Sequence, residues 1–198
     1  MRSRLMAAVL ALPLPLLSAA CAEDEKTPED TGEEAVDVAD MTPTDLPAEL
    51  VAPEGETLTF VADASGDQIY DCTLADTTYA WTFRAPDATL YMACADGDDG
   101  CDPEEIVGTH YAGPTWESTS GSTVVGAKEA EVASSDPDAV AWLRLSAVSN
   151  SGEGPFAAVK TIQRLYTAGG KAPATGCDAT TVDTEHDAPY TATYYFYE

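Results

Sequence analysis

Basic residues are scarce: 9 Lys and Arg stand against 35 Asp and Glu in 198 residues, a formal charge of −26. Gripping phosphates takes clustered Lys and Arg, so this deficit excludes a nucleic-acid surface and disfavours an anionic headgroup surface. The usual catalytic and cofactor fingerprints are missing as well. The chain holds no Gly-x-Gly-x-x-Gly, no Gly-x-Ser-x-Gly and no Cys-x-x-Cys. Dinucleotide binding, a nucleophile elbow and a zinc knuckle are therefore set aside, and no cofactor is expected. Internal repeats are absent, which removes trefoils and propellers. The longest apolar run, residues 5–17, is too short to span a bilayer as a helix and is broken by Pro13 and Pro15. What remains is ordinary globular material, 44% hydrophobic and 8% aromatic, in a length that fits one domain.

Residues 1–20 carry Arg2 and Arg4, then that apolar run, then the small residues Ser18, Ala19 and Ala20. This order is that of an export signal. The stretch Leu17-Ser18-Ala19-Ala20-Cys21 resembles the lipobox of bacterial lipoproteins, with its Leu one position further from the cysteine than usual. The resemblance implies cleavage before Cys21, lipidation of Cys21 and anchoring in the cell envelope; Ala22 in the following position implies the outer membrane. Residues 22–50 hold eleven acids and one base, Lys26, with Pro28, Pro43 and Pro47 and no aromatic residue. So charged a segment has little apolar surface to offset its ordering entropy, and 21–50 is expected to be a disordered tether.

Five cysteines is an odd number for an exported chain, and lipidation of Cys21 leaves four. Cys72, Cys94, Cys101 and Cys177 allow three pairings. The loop between Cys94 and Cys101 is flexible enough to close on itself, which would leave Cys72 for Cys177.

From residue 51 onward the texture is that of a β domain. Runs rich in Val, Thr, Tyr, Phe and Trp alternate with Gly, Pro and Asp clusters. Strands are expected at 56–62, 68–74, 79–84, 88–93, 106–111, 123–132, 139–149, 157–166 and 190–197. Turns are expected at Ser65-Gly66-Asp67, Ala85-Pro86-Asp87, Ser120-Gly121-Ser122, Ser151-Gly152-Glu153-Gly154 and Gly169-Gly170. Their spacing predicts an all-β domain over 51–198, an antiparallel sandwich or closed barrel of about 8–10 strands. In the last strand, Tyr190, Ala192, Tyr194 and Phe196 share one face, and Thr191, Thr193, Tyr195 and Tyr197 the other.

Several blocks together are similar to one family. They are Gly66-Asp67-Gln68-Ile69-Tyr70-Asp71-Cys72, Ala85-Pro86, Gly108-Thr109-His110-Tyr111-Ala112-Gly113-Pro114-Thr115-Trp116-Glu117, Ala141-Trp142-Leu143, Ile162-Gln163-Arg164, Gly176-Cys177-Asp178 and Tyr190-Thr191-Ala192-x-Tyr194-Tyr195-Phe196. This order resembles the DUF3455 family, a domain of unknown function in exported bacterial proteins and in fungi. The resemblance runs from Pro53 to the C-terminus. Residues 92–105, with Cys94 and Cys101, look like an insertion relative to the family, and the resemblance thereby implies Cys72–Cys177 as the family-like pair. It implies no activity.

The densest chemistry lies in 110–117. Gly113-Pro114 demands a turn, which would fold His110 back toward Glu117 as a general-base pair, with Tyr111 and Trp116 as ligand-binding aromatics. The competing reading has His110 bonded to backbone, Trp116 plugging the core and Glu117 in solvent. Asp96, Asp98, Asp99 and Asp102 gather hard oxygen ligands for calcium, but their spacing fails the EF-hand template. Two functions follow. The first is a non-enzymatic envelope domain, anchored to the membrane through Cys21, that binds a small molecule, glycan or protein. The second is an extracytoplasmic hydrolase-like enzyme built on His110 and Glu117.

Overall fold

The computed structural model describes residues 37–198. The signal segment, Cys21 and the tether up to residue 36 lie outside the described residues. Eight antiparallel strands close into a barrel: β1 (Leu58–Ala75), β2 (Thr78–Met92), β3 (Ile106–Tyr111), β4 (Thr115–Ser118), β5 (Thr123–Val132), β6 (Trp142–Ser151), β7 (Thr161–Gly169) and β8 (Glu185–Tyr197). Each strand pairs with its neighbour in sequence, and β1 closes the ring against β8. The all-β expectation holds, and the closed barrel is the form it takes.

Four expected strands at the start prove to be two. Gly66 is no turn: it pairs with Ala88 on one side and Tyr190 on the other. A Cβ there would lie 2.2 Å from the Asp87 carbonyl oxygen, so glycine is needed because backbones approach closely. Pro86 interrupts nothing either. It faces Gln68 of β1, while pairing with β3 begins only at Ala88, so its missing N–H falls on an unpaired edge. Further along, β4 went unseen as a strand because four residues leave no readable period. Expected strand 139–149 begins at Trp142, and 157–166 begins at Thr161.

That late start has a cause. Phe156 and Val159, in the β6–β7 connection, are buried as a plug in one end of the barrel. Phe156 packs on Phe60 and Phe196 with ring centroids 5.6 and 4.6 Å away. The Asn150 side-chain amide donates to both the Phe156 and Val159 carbonyls, and the Phe156 N–H donates to Ser122 Oγ. Held this way, the segment cannot run as a strand until Thr161.

The tether ends earlier than its charge implies. Two 3-10 turns, η1 (Val38–Met41) and η2 (Ala48–Leu50), bring Val38, Met41, Leu46 and Ala52 around the fully buried Leu50. They pack against the outer face of the barrel at Leu58, Val61, Leu165, Tyr195 and Tyr197. Gln163 Nε2 donates to the Leu50 carbonyl and Arg144 to that of Val51. Residues 37–50 are thus part of the folded unit, a correction to the expected boundary at 51. A few well-spaced apolar side chains outweigh the flanking acids because these acids remain in water.

Both disulfides form as the local-loop reading expected. Cys72–Cys177 spans 105 residues and Cys94–Cys101 seven.

Candidate functional site

β3 and β4 make a short hairpin between two much longer strands. Residues 78–87 of β2 and residues 127–132 of β5 reach beyond it, each with a ladder partner on one side only. A cavity of about 710 Å³ occupies the barrel interior at this level. Phe83, Arg84 and Pro86 border it from β2, Gly126, Ala127 and Lys128 from β5, and Gly113 and Pro114 from the hairpin turn.

His110 and Trp116 oppose each other across the hairpin, so both point inward, and their rings stack at 4.3 Å. Tyr194 packs edge-on against both, 5.1 and 5.4 Å away. His110 Nδ1 donates to the Thr115 carbonyl at 2.8 Å, which fixes Nε2 as the lone-pair nitrogen. Burial lowers the His110 pKa to about 3, and the charge on Arg164 acts in the same direction. The ring is a neutral acceptor.

Glu117 is elsewhere. It pairs with Thr109, which puts it on the outer face, where its carboxylate accepts from the Tyr111 hydroxyl at 2.8 Å. The expected convergence of His110 with Glu117 therefore fails: alternation along a strand sends neighbours to opposite faces. Tyr111 leaves with Glu117. Trp116 is inside, 1% exposed, as the structural reading supposed, yet it also borders the cavity. The calcium candidates do not gather. Asp98 and Asp102 turn back on N–H groups of their own loop, and among the described residues no three acidic, His or Cys side chains are placed to share a metal.

The cavity also holds polar groups that belong to no recognisable sequence motif. Gln68 is 2% exposed, and its Nε2 approaches the Tyr190 hydroxyl without a hydrogen bond of normal geometry. Trp116 Nε1 is a second buried donor with no protein partner. Arg164 stands opposite Tyr194 in the β7–β8 register and shares the inward face of Ile162. Its Nε and one terminal nitrogen donate to the Ala141 carbonyl at 3.2 and 2.8 Å. Among the described residues no carboxylate lies within ion-pair distance of it, whereas Arg84 is paired with Asp71 and Glu185, and Lys128 with Glu131. Burial pushes the Tyr70, Tyr190 and Tyr194 hydroxyls up, with Arg164 pulling the other way, so all three remain neutral donors. A signal for Arg164 existed: in Thr161-Ile162-Gln163-Arg164-Leu165 the period of two places a cation on the apolar face.

A family model described as "Protein of unknown function (DUF3455)" matches residues 53–198. No curated protein and no solved structure matches.

Proposed function

Because the chain belongs to the DUF3455 family, whose description assigns no activity, we propose a role from the molecule itself: a lipid-anchored envelope protein whose barrel binds a small organic molecule. The observation that carries it is the pair of buried donors, Gln68 Nε2 and Trp116 Nε1, bordering one cavity without a protein hydrogen bond of normal geometry. An unsatisfied buried donor costs roughly 1–3 kcal/mol, which a bound acceptor recovers. The volume lies within the roughly 300–1,000 Å³ usual for small-molecule sites. Anchoring rests on the leader and Cys21, and two disulfides favour an oxidising compartment. Catalysis by His110 with Glu117 is not adopted, since the two side chains occupy opposite faces.

Binding is tested with Val140→Phe, which fills the cavity from β6's approach. A panel of small organic molecules, read by Trp quenching and thermal shift, should yield a ligand for the native protein and none for the variant. If the panel and native mass spectrometry yield nothing, the reading is wrong. Anchoring is tested with Cys21→Ser, which should move the protein from the membrane to the soluble fraction; an unchanged distribution overturns that part.

A further inference from the structure

We propose that the cavity takes an organic monocarboxylate with a flat apolar body, its carboxylate held by the Arg164 guanidinium. This rests on the small-molecule reading above and names its ligand.

The charge inventory points to an anion. Three cations border the cavity, and two are neutralised by partners on the protein: Arg84 by Asp71 and Glu185, Lys128 by Glu131. Arg164 has no carboxylate partner among the described residues; its neighbours are the neutral Ala141 carbonyl and the Tyr194 hydroxyl. Two of its five N–H groups are spent there, and the remainder keep a fork suited to a carboxylate. Gln68 Nε2 and Trp116 Nε1 add donors of the same polarity. His110, held neutral by burial, adds no second charge. The protein's overall charge of −26 works against any anion at a distance. Screening confines that repulsion to about 8 Å in physiological salt, so the local cation decides.

A single charge is all the site can balance. Phosphate brings nearly two into a mouth that already holds Glu131. The walls specify the rest of the ligand. The His110–Trp116 stack, the Tyr194 edge, Phe83 and Leu143 offer planar and aliphatic surfaces that a compact inorganic ion would leave unused.

Titration calorimetry on the purified protein with 2-naphthoate, the uncharged 2-naphthamide and inorganic phosphate tests this. Naphthoate should bind on the order of 10- to 100-fold more tightly than the amide, the worth of one charged hydrogen-bonded pair. Arg164→Gln should erase that difference, and Arg164→Lys should restore part of it. Phosphate should neither bind nor compete at millimolar concentration. Equal affinity for acid and amide in the native protein overturns the carboxylate while leaving a small-molecule site. An unchanged preference in folded Arg164→Gln removes the role of Arg164. Phosphate competing as well as naphthoate overturns the apolar body. Binding of neither naphthalene overturns this inference, while the cavity reading stands or falls with the panel and native mass spectrometry. Should Arg164→Gln fail to fold, the native comparison and the Lys variant still decide.

Discussion

A histidine ring sealed between an indole and a phenol has little use for a proton, and the consequence is measurable. His110 has a folded pKa of about 3 against an ordinary 6.5. The unfolded chain therefore takes up a proton below pH 6.5 that the native state refuses. Stability contributed by the neutral ring is complete above pH 6.5 and declines as pH falls toward 3, by about 1.4 kcal/mol per pH unit within that window. Denaturant melts between pH 6.5 and 5 should show that slope, and His110→Phe should lack it. The same slope in both proteins would place the effect on other groups. Glu117 belongs to a different class. Its carboxylate lies on the outer face against Tyr111, so Glu117→Ala should change stability by no more than about 0.5 kcal/mol, and ligand binding should be untouched. Loss of binding in that variant would mean that the outer face of the hairpin takes part.

Strands and turns carry their own tests. Gly66 has backbone on both sides, and Gly66→Ala puts a methyl 2.2 Å from a carbonyl oxygen. It should lower stability by about 1–3 kcal/mol, as overpacking does, and a neutral result in thermal melts would mean β1 can shift freely against β2. The acidic segment 37–50 makes the opposite point. Leu50→Ala should cost about 2–5 kcal/mol, the usual range for emptying a core leucine site; a cost near zero would return residues 37–50 to the status of tether. These two elements also show how far the sequence could be read. The inward face of β8 was legible because alternation over Tyr190–Phe196 is strong. Residues 106–111 and 123–132 were legible to their ends because turn residues bracket them. Gly66 and Pro86 read as turn residues in the sequence, since a glycine demanded by close packing and a proline on an unpaired edge look identical to turn residues in one dimension. Leu50 was outvoted by its charged neighbours. At the site, the sequence singles out His110 and Trp116 but pairs His110 with Glu117, because the hairpin register that separates Glu117 from His110 is a tertiary fact. Arg164 and Gln68 were present in the blocks that resemble the family, with nothing in their spacing to say they would meet.

At the scale of the whole molecule, one cross-link ties the barrel's first strand to the segment that feeds its last. Cys72–Cys177 encloses 105 residues of sequence separation, and restricting a loop of that size in the unfolded chain is worth about 4–5 kcal/mol by loop-closure entropy. Cys72→Ala with Cys177→Ala should lower the melting temperature sharply. Cys94→Ala with Cys101→Ala, which frees only the short acidic loop, should scarcely move it. Equal effects from the two pairs would show that the short bridge also braces the barrel. The opening above the β3–β4 hairpin has a consequence of a different kind. Residues 78–87 and 127–132 are each held by a single ladder, while residues 67–71 and 143–146 behind them are held by two. Their outward-facing amides should be the first in the barrel to exchange with deuterium. If the cavity takes a guest as proposed, its traffic through that gap would be timed by the bending of two half-supported strands, and its residence free energy would be set by Arg164 and the aromatic walls. On that proposal, speed and strength of capture lie in separate parts of the molecule: a covalent staple across the gap would slow both arrival and departure and leave the dissociation constant where it was.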